Sequence, residues 1–439
     1  MDITPQHQRP CEHVVILGAG RVGATMALDL ARDPGFRVTV ADRDPVALDR
    51  LAARNIPVRP CDLGQAADLR AAVQDADRVV GAVPGAMGFA TLRTVLEAGK
   101  PVVDISFFAE DPFRLDALAR SQGVTAVVDA GVAPGCSNLI LGALVRELDR
   151  ITRFQCLVGG LPRVRTWPYE YQAGFSPADV LEEYTRPARY VAHGQLVVRP
   201  ALSEPELVAF PGVGTLEAFN TDGLRTLLHT VAAPFKQEKT LRYPGHAEKM
   251  RLLAATGLFS REPVQVAGVR IAPMDLTARL LFPLWQPGAA DEDFTAMRIV
   301  VEGLREGQPR RRVFHLLDRY DPATGTSSMA RTTGYTCTAV VRLLASGGYR
   351  RPGIAPLEFL GQEGCWPFIR TELARRGVHF TESQAPLRDP GFGALQDVQM
   401  DQESLEVQAW PTEPPPAAPK CPPDPHDPPD PPDQRGAAG

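Results

Sequence analysis

The sequence has few cysteines and no arrangement of them that suits a metal. Seven cysteines are scattered over 439 residues without a C-x-x-C pair, and the eight histidines form no cluster at zinc-ligand spacing. Structural zinc sites and redox-active dithiols need such spacings. We therefore predict no metal site and a reducing, cytoplasmic location.

Long apolar runs and an excess of basic charge are also missing. No apolar run approaches the roughly 20 residues that span a bilayer, and the opening stretch MDITPQHQRPCEH lacks the apolar core of a signal peptide. The formal net charge of -5 gives no bulk attraction to nucleic acid or to an anionic membrane. We expect a protein that is neither secreted nor embedded in a membrane and that has no nucleic-acid partner.

Residues 13–131 alternate short β-branched runs with longer amphipathic stretches. Six candidate strands occur, from HVVILG at 13–18 to TAVVDAG at 125–131, with helical segments between them. Near-continuous apolar strands separated by helices are typical of a parallel sheet that is covered on both faces. The pattern predicts an α/β fold with a Rossmann-type, doubly wound parallel sheet over residues 12–136.

The rest of the chain divides into three parts by composition. Residues 137–327 have irregular short strands and many Gly and Pro, which indicates an inserted α+β substrate domain. Residues 328–385 are predicted to be helical and to return to the Rossmann domain. Residues 386–439 are rich in Pro and Asp, so we predict a disordered tail. This tail is either a solubilising appendage or a PxxP-type docking segment.

A glycine-rich G-x-G-x-x-G motif follows the first strand and opens the first helix. Gly18 permits the tight turn, Gly20 lets the backbone approach a pyrophosphate, and Gly23 lets the helix pack closely on the sheet. The second strand ends in Asp42, where an acidic side chain accepts hydrogen bonds from the adenosine ribose. The motif predicts a dinucleotide site, and the alternative is a turn of the same shape without a ligand.

NAD is the favoured cofactor because Asp42 should repel the 2′-phosphate of NADP. Arg43 keeps NADP possible, since an adjacent guanidinium could accept that phosphate. Further contacts are expected at the carboxyl ends of the parallel strands, although Asp62 and Asp104 could instead cap the following helices. The predicted cofactor-binding residues are Gly18, Gly20, Arg21, Val22, Gly23, Asp42, Arg43, Asp62, Ala82, Val83, Pro84 and Asp104.

Several motifs together resemble the saccharopine dehydrogenase family, and more narrowly its lysine 6-dehydrogenase branch. They lie within residues 12–380 and include VVDISFF, VVDAGVAPGCSN, FSPADVLEEYTRPA, FPGVGTLEAFNTDGLRTLL and KTLRYPGHAEKM. The resemblance implies a Rossmann-type cofactor domain and an inserted α+β domain that binds substrate and forms a dimer interface. It also implies NAD(P)-linked oxidation at the ε-carbon of a lysine unit, by a homodimer or a higher homo-oligomer.

The chain departs from the saccharopine-forming and saccharopine-cleaving members at two places. Their Gly-Leu-Asp-Pro-Gly turn reads GVAPG here, at residues 131–135, and their Asn-Arg-Asp-Ser segment reads NTDG, at residues 220–223. A substrate with a second dicarboxylate arm is therefore disfavoured. The resemblance implies NAD-dependent oxidative deamination of the ε-amine of the amino acid L-lysine to allysine, with release of ammonia. The alternatives are a saccharopine dehydrogenase or related reductase acting on a secondary amine, and a non-catalytic NAD-binding scaffold or sensor.

The polar residues of the second domain receive roles from this chemistry. Removal of the ε proton needs a base, and His246 has an unperturbed pKa near neutrality, so it is the candidate base, with Tyr243 orienting the amine or the attacking water. His246 could instead be a solvated first-turn residue of a helix. A guanidinium suits the α-carboxylate and a carboxylate suits the α-ammonium. The predicted substrate-binding residues are Arg242, Arg225, Asp222 and Glu217. The alternatives are a helix N-cap for Asp222 and a surface or intramolecular ion pair for Arg225.

Overall fold

A computed structural model describes residues 11–288 and 291–385 of the chain. The predicted Pro-rich tail at 386–439 lies outside these residues, so its two alternative roles stay predictions. Two large sheets and a two-stranded hairpin organise the described part. Among its helices, none has both the length and the apolar composition needed to cross a bilayer.

The N-terminal part alternates strands and helices as the sequence pattern predicts. Its elements are β1 (Glu12–Leu17), α1 (Arg21–Leu30), β2 (Phe36–Asp42), α2 (Pro45–Ala52), β3 (Val58–Pro60), α3 (Ala66–Val73), β4 (Arg78–Gly81), α4 (Gly85–Glu97), β5 (Val102–Asp104), a 3-10 helix (Pro112–Leu115), α5 (Asp116–Ser121), β6 (Thr125–Val128) and α6 (Cys136–Val145).

The middle part forms a longer and more irregular set of elements. These are β7 (Arg150–Pro162), α7 (Pro177–Thr185), β8 (Ala188–Ala192), β9 (Gln195–Arg199), β10 (Glu206–Phe210), β11 (Gly214–Asn220), α8 (Leu227–Thr230), β12 (Phe235–Arg242), α9 (His246–Ala255), β13 (Val264–Val266), β14 (Val269–Ile271), α10 (Pro273–Trp285), β15 (Asp293–Arg305) and β16 (Gln308–Arg319). The C-terminal part adds α11 (Ser328–Ala345), β17 (Gly353–Pro356), α12 (Leu357–Gln362), α13 (Trp366–Ala374) and β18 (Phe380–Ala385).

The first sheet is parallel throughout, in the order β17-β6-β5-β4-β1-β2-β3. Strand β1, which has a neighbour on each side, shows why these strand sequences are continuously apolar. Val14 and Ile16 face one buried core and Val15 and Leu17 face the other, with no exposed surface on any of the four. Burial of each such side chain contributes about 1.5–3 kcal/mol. Because both faces of the sheet are buried, a ligand can approach it at the carboxyl ends of the strands.

The second sheet is mixed, in the order β10-β11-β12-β7-β15-β16-β18. Strands β12 and β7 pair in parallel, and the other pairs along this path are antiparallel. One face of β12 carries side chains toward the first sheet, because alternate residues of a strand point the same way. This strand is therefore the main route by which the middle part contributes to a site.

The segment after β16 returns to the first sheet through α11. Gly334 of α11 lies against Met26 and Thr25 of α1, and Thr338 donates a hydrogen bond of 2.6 Å to the buried Asp29. The helical interpretation of residues 328–385 missed two strands in this segment. One of them, β17, joins the edge of the parallel sheet beside β6, and the other, β18, joins the mixed sheet beside β16.

Candidate active site

The glycine-rich turn has the shape that its motif predicts. Gly18 adopts a positive φ of 117°, and a Cβ placed there would lie 2.4 Å from the carbonyl oxygen of Ala82. A Cβ on Gly23 would lie 2.0 Å from the carbonyl oxygen of Gly18. These two glycines are required by close backbone packing between β1, α1 and β4.

Gly20 differs, because a Cβ there would meet no atom within 4 Å. It caps α1 without a side-chain hydrogen bond, and the first turn of the helix contains no acidic residue. The N–H groups of that turn therefore face open space with nothing from the helix itself to bind. A helix N-terminus in this condition is suited to the pyrophosphate of a dinucleotide.

Asp42 is held in position at the end of β2 by two backbone groups. Its Oδ2 accepts a hydrogen bond of 2.6 Å from the N–H of Ala19, and its Oδ1 accepts one of 2.9 Å from the N–H of Asp44. Arg43 lies beside it in the same wall. The carboxylate is thereby fixed where the adenosine ribose of a dinucleotide on the glycine-rich turn would lie.

A cavity of about 520 Å³ begins at this turn and extends to the mixed sheet. The predicted cofactor residues in its wall are Gly18, Gly20, Arg21, Val22, Gly23, Asp42, Arg43, Asp62, Ala82, Val83 and Pro84. The middle part and α11 contribute the opposite wall, with Ser176, Asp179, Glu183, Thr221, Gly223, Glu238, Thr240, Arg242, Thr295, Met329, Thr332 and Thr333 among its residues. The structure therefore brings nearly all the predicted cofactor residues together.

Asp104 is the exception among them. It is fully buried, it is not in the cavity wall, and its Oδ1 accepts a hydrogen bond of 2.8 Å from the N–H of Ser106. Burial raises the pKa of its carboxyl group to about 8. Its predicted contact with a cofactor is wrong, because the carboxyl group packs under Gly81, where a Cβ would come within 1.9 Å of it.

Two of the three carboxylates in the opposite wall belong to α7. Ser176 caps this helix, and Asp179 and Glu183 lie four residues apart on one face of it. Asp179 accepts a hydrogen bond of 3.1 Å from the N–H of Gly85, the first residue of α4. Burial raises the pKa of Asp179 to about 6. The helix thus connects the mixed-sheet side of the cavity directly to the parallel-sheet side.

Glu183 and Arg242 form an ion pair in the cavity wall. Nη2 of Arg242 donates a hydrogen bond of 2.8 Å to Glu183, its Nη1 donates one of 2.9 Å to the carbonyl of Leu241, and its guanidinium lies 4.4 Å from the ring centroid of Tyr171. Burial raises the pKa of Glu183, and the charge of Arg242 opposes that rise. Of the predicted substrate-binding residues, Arg242 is the one that lines the cavity.

His246 lies behind this wall, outside the cavity, with 1% of its surface exposed. Nδ1 is 3.0 Å from the carbonyl of Tyr169, so it carries the proton and donates it there. Nε2 then accepts a hydrogen bond of 2.8 Å from the hydroxyl of Tyr184, whose oxygen accepts one of 3.3 Å from Nε of Arg242. Burial, followed by the charge of Arg242, lowers the pKa of His246 to about 3.

The prediction of His246 as the base is therefore wrong, and so is the alternative of a solvated first-turn residue. A buried neutral imidazole with both nitrogens engaged cannot reach a substrate proton. Tyr243 is also outside the cavity, and its hydroxyl donates to the carbonyl of Pro162 at 2.8 Å. His246 instead orients Tyr184, which contacts Arg242 on the side away from the cavity.

The other predicted substrate residues are engaged in structural contacts outside the cavity wall. Glu217 accepts a hydrogen bond of 2.9 Å from the N–H of Ala247 at the start of α9. Asp222 forms a bidentate pair with Arg189, with both bonds at 2.8 Å, and so does not cap a helix. Arg225 is buried, pairs with Asp129 at 3.1 Å and donates to the carbonyl of Phe108, so it forms the intramolecular ion pair that was its alternative and is no surface residue. None of these three side chains is placed to hold the substrate.

We expect His246→Phe to weaken catalysis without changing its pH profile. The variant keeps a ring but removes the acceptor that orients Tyr184 and, through it, Arg242. Loss of one such hydrogen bond costs about 0.5–1.5 kcal/mol, so kcat/KM should fall by up to about tenfold. His246→Gln, whose amide oxygen can still accept from Tyr184, should recover most of the rate. A pH–rate profile that loses a titration step in His246→Phe would instead restore the histidine as a base.

The residues that could hold NAD(P) fit that cofactor. The space beside Gly20 and the uncapped N–H groups of α1 accommodate a pyrophosphate, and Asp42 is fixed for a ribose. In the described residues 11–288 and 291–385, no three His, Cys, Asp or Glu side chains gather as ligands for a metal ion.

Family models match both halves of this arrangement. The saccharopine dehydrogenase NADP binding domain matches residues 14–127, and the saccharopine dehydrogenase C-terminal domain matches residues 131–378. The chain belongs to the saccharopine dehydrogenase family. This confirms the family and the NAD(P)-binding domain that the motifs predict. The choice between NAD and NADP, and the lysine 6-dehydrogenase branch, stay predictions.

Curated members of the saccharopine dehydrogenase family are distant in sequence. The L-glutamate-forming, NADP-dependent saccharopine dehydrogenase of Pyricularia oryzae is 26% identical over 276 residues, which is 57% of this chain and 58% of that enzyme. The enzyme of the same name from Schizosaccharomyces pombe is 22% identical, over 84% of this chain and 98% of that enzyme. The apo structure of the L-glutamate-forming saccharopine dehydrogenase of Saccharomyces cerevisiae superposes with a TM-score of 0.70 and 20% identity, covering 85% of this chain and all of that one. This likeness confirms the α/β fold class.

Proposed function

We propose that the chain is an NAD-dependent oxidative deaminase that acts on the ε-amine of L-lysine. The supporting observation is the charge of the cavity wall opposite the glycine-rich turn. Its charged side chains, among the described residues, are three carboxylates and one guanidinium, and Arg242 is already paired with Glu183. The other two carboxylates belong to Asp179 and Glu238. This excess of acid suits a substrate with two amino groups and one carboxylate.

The chemistry sets what the wall has to do. A lysine ammonium has a pKa of about 10.4, so its deprotonation at pH 7 costs about 4.6 kcal/mol. NAD held by the glycine-rich turn and Asp42 would supply the hydride acceptor for the ε-carbon, and hydrolysis of the resulting imine would release ammonia and leave allysine. The acidic wall can bind the ammonium groups and take up a proton, and the remaining N–H groups of Arg242 can bind the α-carboxylate.

Side chains of the parallel sheet line one side of the cavity, and side chains of α7 and α11 line the other. These walls limit the access of water to the reacting carbon. α7 reaches across to Gly85 through Asp179, and Met329 and Thr333 of α11 close another side. A substrate amine in this cavity would therefore lie beside the carboxyl ends of β1, β4 and β5. Placing the reacting carbon in contact with the cofactor in this way contributes to catalysis by orientation.

Oxidation of saccharopine is the second candidate, because the curated relatives named above carry that activity in their names. The wall disfavours it here, since a dicarboxylate arm would meet Asp179, Glu183 and Glu238, and Arg242 is the one cation among the described residues that line that wall. Arg186 lies outside the wall, although its charge also acts on Asp179 and Glu183. Like charges brought together in a desolvated site cost several kcal/mol.

An absorbance assay at 340 nm separates these candidates. Purified protein is incubated with NAD or NADP and with L-lysine, L-ornithine, saccharopine or L-norleucine. L-Norleucine matches lysine but lacks the ε-amine. We expect reduction of the cofactor with lysine, faster with NAD, and one ammonia released for each NADH formed. Turnover of saccharopine with glutamate release, and none of lysine, would replace the proposal by the second candidate. No turnover of any amine would favour the non-catalytic scaffold.

The homodimer or higher homo-oligomer stays a prediction. Light scattering of the purified chain at micromolar concentration measures its mass against the 47.6 kDa of one copy.

A further inference from the structure

Glu238 differs from its neighbours on β12 in having no structural partner. Gln237 donates a hydrogen bond of 2.9 Å to Asn220, and Lys239 pairs with Glu206 at 2.8 Å. Glu238 is 5% exposed, lies in the cavity wall, and its Oε2 has no hydrogen-bond partner among the described residues. It shares its face of the strand with Thr240 and Arg242, which also line the cavity.

The chain leaves space for this carboxyl group at Gly223. A Cβ on that residue would come within 1.7 Å of Oε1 of Glu238, so no other residue fits there with the carboxyl group in its present position. Beside it, the hydroxyls of Thr221 and Thr240 bond to each other at 2.8 Å. Glu238 therefore occupies a hollow of fixed shape that opens into the cavity.

The charges around Glu238 make it the unpaired member of a buried group. Three other carboxylates face it, from α7, from the loop after β6 and from the loop after β11. Each of the three has its own arginine, in the pairs Glu183–Arg242, Asp129–Arg225 and Asp222–Arg189. In the part of the chain that the structure describes, no lysine, arginine or histidine forms an ion pair with Glu238. A buried acid in this position needs a cation from outside the protein or a proton.

We propose that Glu238 accepts the proton of the substrate ammonium and is the catalytic base of the reaction. This inference rests on the proposed function. The carboxylate takes one proton from the ammonium, which leaves a neutral amine and a neutral carboxylic acid. The adjacent carbon then loses a hydride with both electrons of its C–H bond, for which NAD would supply the acceptor, and the nitrogen lone pair forms the C=N bond of an iminium ion.

The electrostatics of the hollow suit this proton transfer. Burial, followed by the charges of the three neighbouring carboxylates, raises the pKa of Glu238 to about 8. An ordinary glutamate, with a pKa of about 4.3, is a far weaker base toward an ammonium whose pKa is about 10.4. A carboxylate this close in pKa to its proton donor is an effective general base near neutral pH.

Glu238→Gln tests the proposal, with Glu248→Gln as the matched control. Glu248 is exposed on α9, away from the cavity wall. We expect kcat/KM for lysine to fall about 100-fold or more in Glu238→Gln and to be unchanged in the control. The wild-type rate should rise with pH to a plateau above about pH 8, and that step should be lost in Glu238→Gln.

Calorimetry gives a readout that needs no turnover. Lysine is added at pH 7 to the complex of the protein with NADH, in buffers of different ionisation enthalpy. The wild type should release about one proton on binding, because the bound pair of groups holds one proton fewer than the separate groups. Glu238→Gln should bind lysine without this release. Equal proton release in the two proteins would overturn the assignment.

Thermal unfolding shows whether the Glu238→Gln variant is folded. It also tests a predicted difference in melting temperature between the variant and the wild type. The folded-state pKa of Glu238 is raised, so the stability of its protonated form is fully present below the unfolded pKa of about 4.3 and is lost as the pH rises from there through about 8. Glutamine cannot ionise, so Glu238→Gln should melt about 2–4 °C or more above the wild type at pH 9 and close to it at pH 4.

Different results would contradict the proposed function and the assignment of Glu238 as the base. If the wild-type protein oxidises no primary amine, the proposed function falls. If the wild type oxidises lysine and Glu238→Gln does so with the same rate and pH profile, Glu238 is not the base and the proposed function stands.

Discussion

Gly20→Val should abolish cofactor binding and leave the fold intact. The backbone at Gly20 has φ -63° and ψ 178°, which any residue adopts, and a Cβ there meets no atom within 4 Å. The valine side chain would instead fill the space in front of the first turn of α1, where a pyrophosphate would bind. We expect the Kd for NADH, measured by fluorescence titration, to rise at least about 100-fold, or about 2.7 kcal/mol. The melting temperature should stay within about 2 °C of the wild type.

Gly23→Val is the contrasting variant in the same motif. Its Cβ would lie 2.0 Å from the carbonyl oxygen of Gly18, so α1 must move away from β1. Overpacking of this kind costs about 1–3 kcal/mol or more, and we expect a clear loss of melting temperature together with the loss of binding. Unchanged NADH affinity in Gly20→Val would remove the glycine-rich turn from the cofactor site.

The parallel sheet was predictable because its signals are local. Each strand is a short apolar run and each connection contains a helix. The glycine motif marks a turn in which Gly18 and Gly23 leave no room for a side chain. β17 was missed for the same reason. Its four residues, GIAP, begin with glycine and end with proline, and a loop separates them from the preceding helix α11. No local feature of this sequence therefore indicates a strand. They are held by pairing with β6, more than 220 residues earlier in the chain.

The substrate side of the cavity was less predictable, because the pairing of strands in the mixed sheet determines which side chains face the cavity. Strand alternation separates Glu238 and Arg242 from Lys239 and Tyr243, but the sequence does not show which of the two faces meets the cavity. Pairing of β12 with β7 and β11 decides it. Asp179 and Glu183 had a local signal, since Ser176-Pro177 starts a helix and places both acids on one face. The ion pair between Asp222 and Arg189 joins residues that are 33 positions apart, so no local sequence pattern predicts it.

The ion pair between Arg242 and Glu183 should be the most costly single interaction of the cavity wall to break. Arg242 is 3% exposed, and Arg242→Met would leave Glu183 buried beside an apolar side chain. Breaking a buried pair from one side costs about 3–5 kcal/mol, because it leaves an uncompensated charge. We expect this loss in the free energy of unfolding measured with urea at pH 8. Activity on lysine should fall as well, since the α-carboxylate loses its guanidinium.

The pH dependence of that loss identifies its cause. Burial already raises the pKa of Glu183 against the opposing charge of Arg242. In Arg242→Met the pKa should rise further, so Glu183 can take up a proton at pH 5 and the deficit in stability should be smaller there than at pH 9. Adding Glu183→Gln removes the charge altogether, and the double variant should recover about 1–3 kcal/mol relative to Arg242→Met alone. A deficit that is equal at both pH values and is not relieved by Glu183→Gln would mean that Arg242 stabilises the wall by packing on Tyr171. In that case its charge would be available to the substrate, and the wall would be less acidic than the proposed function requires.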